Sequence, residues 1–233
     1  MKTIGLVGGT SWVSTIDYYR IINETVNKRL GNNSSAKLLL YSVNFEEIAI
    51  FTREGNWKAI EAILSTAAKN LALAGADCML LCANTMHIIA AKVQAAIDIP
   101  LLHVADVVLK DIQQNKIERV LLLGTKYTMQ SSFYTDRLKV KGIEIMLPDI
   151  AEMEIINNCI YNELGKGLFL PETKLLFINL INKYVQIGAQ GVILGCTEIP
   201  LLIKKDDCSV PMFDTTLLHA TAAVDFALSS IFL

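Results

Sequence analysis

The sequence contains two copies of one pattern of alternating apolar and polar segments. In the first half, apolar runs end at Gly9-Thr10 and at Cys82. In the second half, they end at Gly124-Thr125 and at Cys196, at an offset of about 115 residues. Apolar runs that alternate with helix-like segments predict parallel strands joined by right-handed helical crossovers. A repeat of this length therefore predicts two copies of one α/β unit.

The repeat predicts an α/β fold of two pseudo-symmetric domains with parallel sheets and an active-site cleft between the domains. We expect residues 1–100 plus 211–233 to form the first domain and residues 101–210 to form the second. Residues 210–213 would return to the first domain and complete its sheet as a strand. A helix over residues 217–231 would follow that strand.

The composition limits the kinds of protein that this chain can be. Its 233 residues are 52% hydrophobic and 19% charged, which is enough for a sizeable core and argues against disorder. A net charge of -2 and the lack of a basic run argue against a nucleic-acid partner. No apolar run is long enough for a membrane span, and the N-terminal run is too short for a signal peptide. We expect a soluble, cytoplasmic protein.

The cysteines do not form a pattern that is typical of a disulfide framework or a zinc site. There are five of them, an odd number, with no CxxC pair and no histidine-rich spacing. We therefore expect no metal centre. A cysteine at the end of a buried strand is usually a small core residue, and this interpretation suits Cys78, Cys159 and Cys208.

Cys82 and Cys196 differ because they occupy equivalent positions of the repeat. Each follows a predicted strand, and Thr85 or Thr197 stands at the predicted helix start that comes next. Ligands of open α/β sheets bind beyond the carboxyl ends of the strands. The N–H groups and dipole of a helix start favour a thiolate and a bound carboxylate. We therefore expect each half to supply a cysteine of lowered pKa and part of an anion site.

Two cysteines that approach one carbon atom from opposite sides can invert its configuration. One thiolate removes a proton while the opposing thiol donates a proton from the other face. Backbone N–H groups around a substrate carboxylate would stabilise the carbanion that forms in between. This chemistry requires no cofactor.

The chain resembles the aspartate/glutamate racemase family over nearly its whole length. The resemblance rests on residues 4–12 (IGLVGGTSW), 82–87 (CANTMH) and 195–199 (GCTEI). The first two segments look closest to the bacterial subgroup that includes broad-specificity amino-acid racemases, although Thr10 stands where that subgroup often has Met. The resemblance implies two Rossmann-like, or flavodoxin-like, domains, racemisation without pyridoxal phosphate, and a homodimer.

The resemblance also implies roles for individual residues. Cys82 and Cys196 would be the two acid/base residues, each serving one enantiomer. Residues in the turns after strands would hold the α-carboxylate and the amine of the substrate: Thr10, Ser11, Asn84, Thr85, Thr125, Thr197 and Glu198.

Two cations and three histidines carry weaker signals. Arg53, in a predicted loop, could bind a second, side-chain carboxylate bidentately. Lys166, also in a predicted loop, resembles a substrate-binding lysine of aspartate racemases. A solvated surface charge is the competing interpretation of both cations. His87 could tune the nearby thiolate or simply pack in its helix, while His103 and His219 belong to no motif.

The sequence thus predicts an amino-acid racemase that needs no cofactor and acts on aspartate or glutamate. A racemase of broader substrate range is the nearest alternative. A cysteine isomerase, a hydantoin racemase or a one-cysteine decarboxylase would share the architecture, although a decarboxylase needs only one of the two cysteines. A non-catalytic protein whose two lobes close on a small acid is the alternative from a different class.

Overall fold

The computed structural model describes residues 1–229, which divide into two compact units. Unit 1 contains Met1–His103 and the residues from His219 onwards, and unit 2 contains Val104–Leu218. Each unit has one sheet, and all strand pairs are parallel. The predicted fold class, α/β with two parallel sheets, is confirmed. Within the described part of the chain, no helix is long and apolar enough to cross a membrane.

Unit 1 has a three-stranded sheet of order β2-β1-β3. Its elements in chain order are β1 (Ile4–Gly8), α1 (Trp12–Leu30), β2 (Leu38–Ser42), α2 (Phe45–Arg53), α3 (Trp57–Leu73), β3 (Cys78–Leu81) and α4 (Ala90–Gln94). The apolar run at residues 99–102 is typical of a further strand, but the structure has a single parallel bridge there, between Met79 and Leu101.

Unit 2 has a four-stranded sheet of order β5-β4-β6-β7. Its elements are α5 (Val104–Gln114), β4 (Arg119–Gly124), α6 (Lys126–Gln130), α7 (Ser132–Lys139), β5 (Glu144–Met146), α8 (Ile150–Asn162), α9 (Pro171–Gln186), β6 (Gly191–Gly195), α10 (Ile199–Leu202) and β7 (Met212–Asp214). The final helix, α11 (Thr215–Leu228), begins in unit 2 and continues in unit 1.

The strand predicted over residues 210–213 belongs to the second sheet, so our expectation that it completes the first sheet is wrong. β7 pairs with β6, with Asp214 opposite Leu194. The connection from β6 to β7 is short, and strands that are close in sequence usually pair with each other. The predicted helix over residues 217–231 corresponds to α11, and residues 230 and 231 lie outside the described residues.

The sheet of unit 1 buries side chains on both faces, as a parallel sheet between helices must. Side chains alternate between the faces along each strand. Those that pack on α1 and α11 are Ile4, Leu6, Cys78, Leu80 and Cys82. Those that pack on α3 and α4 are Val7, Met79 and Leu81. Cys82 therefore continues the alternation of β3, and its thiol lies on the face covered by α1 and α11.

Candidate active site

Cys82 lies at the carboxyl end of β3 in unit 1. It is the residue after the strand, and its backbone N–H donates to the carbonyl of Val7 at 2.9 Å. The ladder between β1 and β3 thus extends to Cys82, whose side chain has no solvent-exposed surface. Burial raises the pKa of the Cys82 thiol far above its ordinary value, because the thiolate would lose its hydration. Our expectation of a lowered pKa is wrong.

The segment after Cys82 explains why the helix start does not lower this pKa. The sequence pattern of residues 85–96 favours one α-helix, but the structure has a turn of 3-10 helix, Thr85–Ile89, followed by the five-residue α4. A macrodipole comes from many aligned peptide units, and elements this short provide little of it. Asn84 and Thr85, which follow Cys82 closely in sequence, are both buried.

The turn after β1 is the second part of the site in unit 1. Gly9 has φ +84°, and a Cβ at this position would lie 2.2 Å from the carbonyl oxygen of Val43. Only glycine fits such a position. Thr10 follows and is 6% exposed. Its Oγ1 has no hydrogen-bond partner among residues 1–229.

Ser11 is the N-cap of α1. The Ser11 hydroxyl accepts from the N–H of Ser14 at 3.5 Å. The Thr15 hydroxyl accepts from the N–H of Gly9 at 3.0 Å and donates to the Ser11 carbonyl at 2.8 Å. These bonds hold the turn between β1 and α1. Because Val7 and Leu81 are paired, this turn and the Cys82 turn follow neighbouring strands.

The three histidines of the chain cluster in unit 1, and no sequence pattern indicated this. The ring centroid of His87 lies 4.7 Å from that of His103 and 5.5 Å from that of His219. Nδ1 of His87 donates to the carbonyl of Ala83 at 3.0 Å, because a carbonyl oxygen can only accept. This bond ties the cluster to the residue after Cys82.

His219 is held in one tautomer by two partners. Its Nε2 donates to the carbonyl of Leu102 at 2.7 Å, and its Nδ1 accepts from the hydroxyl of Tyr18 at 2.9 Å. Burial lowers the pKa of His219 to about 4. Burial, followed by the neighbouring imidazoles, lowers the pKa of His87 well below its usual value. Within residues 1–229, no group of His, Cys, Asp and Glu side chains is arranged to hold a metal ion.

Cys196 lies at the carboxyl end of β6 in unit 2, and a glutamate stands beside it. The thiol donates to Oε2 of Glu198 at 3.0 Å, and the hydroxyl of Thr197 donates to the same oxygen at 2.9 Å. All three residues are buried. The other carboxylate oxygen, Oε1, is buried and has no hydrogen-bond partner within the described residues.

Two effects raise the pKa of the Cys196 thiol well above its ordinary value. Burial is the larger effect, and the negative charge and hydrogen bond of Glu198 add to it. Backbone hydrogen bonds from Glu198 and Ile199 lower the pKa, as expected of a helix start, but these bonds are outweighed. α10 has only four residues. The predicted lowering of the pKa is therefore wrong for this cysteine as well.

Thr125 stands at the end of β4, the strand next to β6. It is the N-cap of α6, and its hydroxyl accepts from the N–H of Thr128 at 3.2 Å. Gly124 and Gly195 are opposite each other in the ladder, and a Cβ on Gly124 would lie 2.8 Å from the carbonyl oxygen of Gly195. The turns that carry Thr125 and Cys196 therefore follow neighbouring strands that approach closely.

Arg53 and Lys166 are not in the turns that directly follow these strands. Arg53 is the last residue of α2, is exposed, and pairs with Glu46 at 3.4 Å. Lys166 ends a short 3-10 turn, Leu164–Lys166, beyond α8 and is also exposed. Arg53 thus ends the helix that comes after β2 and is not in the predicted loop, whereas Lys166 follows the corresponding helix of unit 2, which comes after β5. Their roles in substrate binding stay predictions.

Comparison with known proteins identifies the family. The model of the Asp/Glu/Hydantoin racemase family matches residues 7–223. The broad-specificity amino-acid racemase RacX of Bacillus subtilis is 26% identical over 164 residues, which cover 70% of each chain.

Two solved structures resemble the chain over almost its whole length. A Yersinia pestis protein assigned as an Asp/Glu racemase has a TM-score of 0.91 at 47% identity and covers 98% of this chain and 100% of its own. An aspartate racemase homologue from Pyrococcus horikoshii has a TM-score of 0.85 at 38% identity, with 97% and 99% covered. With the family match spanning both cysteine turns, these findings establish that the chain belongs to the Asp/Glu/hydantoin racemase family.

Proposed function

We propose that this protein is an amino-acid racemase in which Cys82 and Cys196 carry the two proton transfers. The observation that supports this most strongly is the equivalence of the two thiols. Each directly follows the strand that pairs with the first strand of its unit, β3 beside β1 and β6 beside β4. Both thiols are buried. The family and the names of the relatives support the same reaction.

The raised thiol pKa values suit the proposed chemistry. The α-proton of an amino acid is very weakly acidic, so its removal needs a strong base and a stabilised carbanion. A thiolate whose pKa is raised by burial is a stronger base than one in water. One thiolate takes the α-proton as the C–H bond breaks. The other thiol gives its proton to the opposite face of the same carbon, which yields the other enantiomer.

We propose that polar side chains at the strand ends hold the amino-acid head group. The unpartnered oxygens support this, because a buried polar atom without a partner needs an explanation. Glu198 Oε1 would accept from the substrate ammonium, and Thr10 Oγ1 would donate to its carboxylate. The other proposed contacts are Ser11, Asn84, Thr85, Thr125 and Thr197.

Aspartate or glutamate is the proposed substrate, with Arg53 or Lys166 binding the side-chain carboxylate. The exposed pair of Arg53 with Glu46 is weak, so the guanidinium can leave it for a substrate. The similarity to the broad-specificity RacX favours a second candidate, a racemase of broader range.

Proton NMR in heavy water identifies the substrate. Single L-amino acids, acidic, neutral and basic, are incubated with the protein, and the Cα–H signal is followed. We expect aspartate or glutamate to lose the signal fastest, with D-enantiomer confirmed by chiral chromatography. Faster loss with neutral or basic amino acids would favour the broad-range racemase. Hydantoins are incubated in the same way. If they exchange their proton and no amino acid does, the amino-acid proposal is contradicted.

Single cysteine variants test the proposed mechanism. Cys82→Ser and Cys196→Ser should each lower the racemisation rate by about 10³-fold or more, because a serine hydroxyl is a poor general base. The matched control is Cys208→Ser, since this cysteine is half-buried and follows no strand. It should keep full activity. Circular dichroism checks that each variant is folded, and full activity in either strand-end variant would refute the mechanism.

We also propose that the protein is a homodimer. α1 exposes Trp12, Ile16 and Tyr19, which are 67%, 57% and 53% exposed and lie on one helix face. An apolar stripe of this kind is typical of a protein contact. Light scattering should give roughly twice the 25.7 kDa of one chain, and a mass of one chain would contradict the dimer.

A further inference from the structure

We propose that Glu198 keeps Cys196 protonated in the substrate-free protein, so that Cys82 is the thiol that ionises first. The consequence of this proposal for catalysis rests on the proposed two-thiol reaction. The order in which the two thiols ionise is a property of the substrate-free protein. Glu198 acts here through Cys196 and is in this respect a positioning residue.

The geometry around Cys196 favours the thiol over the thiolate. The S–H group donates to Glu198 Oε2 at 3.0 Å, and this hydrogen bond exists only while the sulfur carries its proton. Loss of the proton would place two negative charges at that distance. The hydrogen bond and the repulsion between like charges therefore both favour the protonated sulfur.

The position of the carboxylate makes its charge effective. The hydroxyl of Thr197 donates to the same Oε2 at 2.9 Å, which holds the carboxylate against the thiol. Glu198 is only 4% exposed. Water and salt therefore screen the repulsion weakly. The negative charge of Glu198 is a distinct cause of the raised pKa of Cys196, in addition to burial.

Cys82 provides the contrast. Burial raises the pKa of this thiol, and no charged group among the described residues adds to that effect. The desolvation of a thiolate is thus common to both sites, whereas the adjacent carboxylate occurs only at Cys196. Glu198 consequently makes Cys196 the weaker acid of the two.

A bias between the two thiols has a catalytic consequence. The form with a Cys82 thiolate and a Cys196 thiol accepts the enantiomer whose α-proton faces Cys82. Glu198 disfavours the reverse form, which the other enantiomer needs. Because enantiomers are equal in free energy in water, kcat/KM must be the same for both directions. The bias therefore appears as unequal kcat values matched by unequal KM values.

Site-resolved alkylation tests the proposal without substrate. Wild type and Glu198→Gln react with iodoacetamide over a range of pH, and peptide mass spectrometry follows each cysteine. In wild type, Cys82 should become reactive at lower pH than Cys196. In Glu198→Gln, Cys196 should react about tenfold faster or more at a given pH, since a neighbouring like charge shifts a pKa by one unit or more. Cys82 should not change.

A second glutamate of unit 2 provides a matched control. Glu163 accepts from Thr173 and raises the pKa of Cys159 by its charge, after the larger effect of burial. Glu163→Gln should accelerate Cys159 and leave Cys196 unchanged. Glu198→Asp keeps the charge and should retain part of the protection of Cys196.

Three results would overturn the proposal. They are ionisation of Cys196 before Cys82 in wild type, unchanged reactivity of Cys196 in Glu198→Gln, and equal acceleration of both thiols in that variant. The last result would indicate a loosened protein and not a local charge effect. The alkylation experiment needs no turnover. A failure of the racemase proposal would therefore appear in the NMR measurements on single amino acids and not in the alkylation rates. If turnover is present, the kcat values for the two enantiomers should converge in Glu198→Gln.

Discussion

The two units place a cysteine at the same point of the same strand pattern and then surround it differently. In unit 1, the residue after Cys82 bonds to a histidine that belongs to a buried cluster of imidazoles. In unit 2, the thiol of Cys196 bonds directly to the carboxylate of Glu198. The repeat therefore fixes where the thiols lie but does not make them chemically equal.

This difference suits a reaction that needs two distinct groups at any moment. A two-base inversion requires one thiolate and one thiol. If the surroundings of the two thiols were identical, neither thiol would be preferred as the thiolate. A carboxylate beside one thiol gives the free protein a defined resting form, while the frame of parallel strands keeps the two positions equivalent.

The largest difference between the units in free energy of unfolding is expected at Gly9, the glycine in the turn after β1. Gly9→Ala should lower the free energy of unfolding by about 3–5 kcal/mol, because it combines a left-handed φ with a clash against the Val43 carbonyl. Gly31→Ala is the control, since Gly31 has φ +72° and no atom near an added Cβ. That variant should lose about 1–3 kcal/mol, from its backbone conformation alone.

Urea unfolding at neutral pH measures the free energy of unfolding of both glycine variants. Gly124, at the matching position of unit 2, has no positive φ among the described backbone values, so only steric contact, with Gly195 and Thr128, opposes a side chain there. If Gly9→Ala cost no more than Gly31→Ala, the steric account of the first turn would be wrong.

A second difference concerns pH, because all three histidines lie in unit 1 and unit 2 has none. The pKa of His219 falls from 6.5 to about 4 on folding. Between these values the unfolded chain binds more protons than the folded one. Stability is therefore complete above pH 6.5 and falls as the pH drops towards 4, by about 3 kcal/mol for His219.

Hydrogen exchange read by peptide mass spectrometry at pH 7 and pH 5 locates this loss, after correction for the intrinsic exchange rate. Peptides of unit 1 should lose more protection than peptides of unit 2. His219→Gln should reduce the pH dependence of urea unfolding. Equal loss of protection in both units, or an unchanged pH dependence in the variant, would show that the histidines do not cause the loss of stability at low pH.

The smallest expected effects are at the two helix caps. Ser11→Ala in unit 1 and Thr125→Ala in unit 2 each remove a capping hydroxyl and should lower stability by about 1 kcal/mol. The Ser11 bond is the longer of the two, so its loss should matter less. If these hydroxyls also contact substrate, kcat/KM will fall while the protein is still fully folded. Unchanged kcat/KM would limit both residues to capping.

Much of the fold follows from local sequence patterns. β3 runs from Cys78 to Leu81 as its apolar run predicts, and α3 ends before Gly75, whose φ of +94° favours glycine. The strand-end positions of Cys82 and Cys196 follow from the same reasoning. These features depend on neighbours in sequence, and this is why a single sequence reveals them.

The features that were missed depend on contacts between distant residues. His219 reaches Leu102 and Tyr18, and no spacing rule connects these positions. β7 pairs with β6, its neighbour along the chain, whereas the pseudo-symmetry of the repeat pointed to the first sheet. The sign of the thiol pKa shifts was wrong because a pattern shows a helix start but not the degree of burial.

The most direct test of the account is the fate of deuterium early in the reaction. The protein racemises an L-amino acid in heavy water to a few per cent conversion, and the separated enantiomers are analysed by mass spectrometry. Two opposed thiols predict deuterium at Cα in the D-product and none in the remaining L-substrate. Deuterium in the recovered substrate at the rate at which it enters the product would show that one base serves both faces, and would contradict the account.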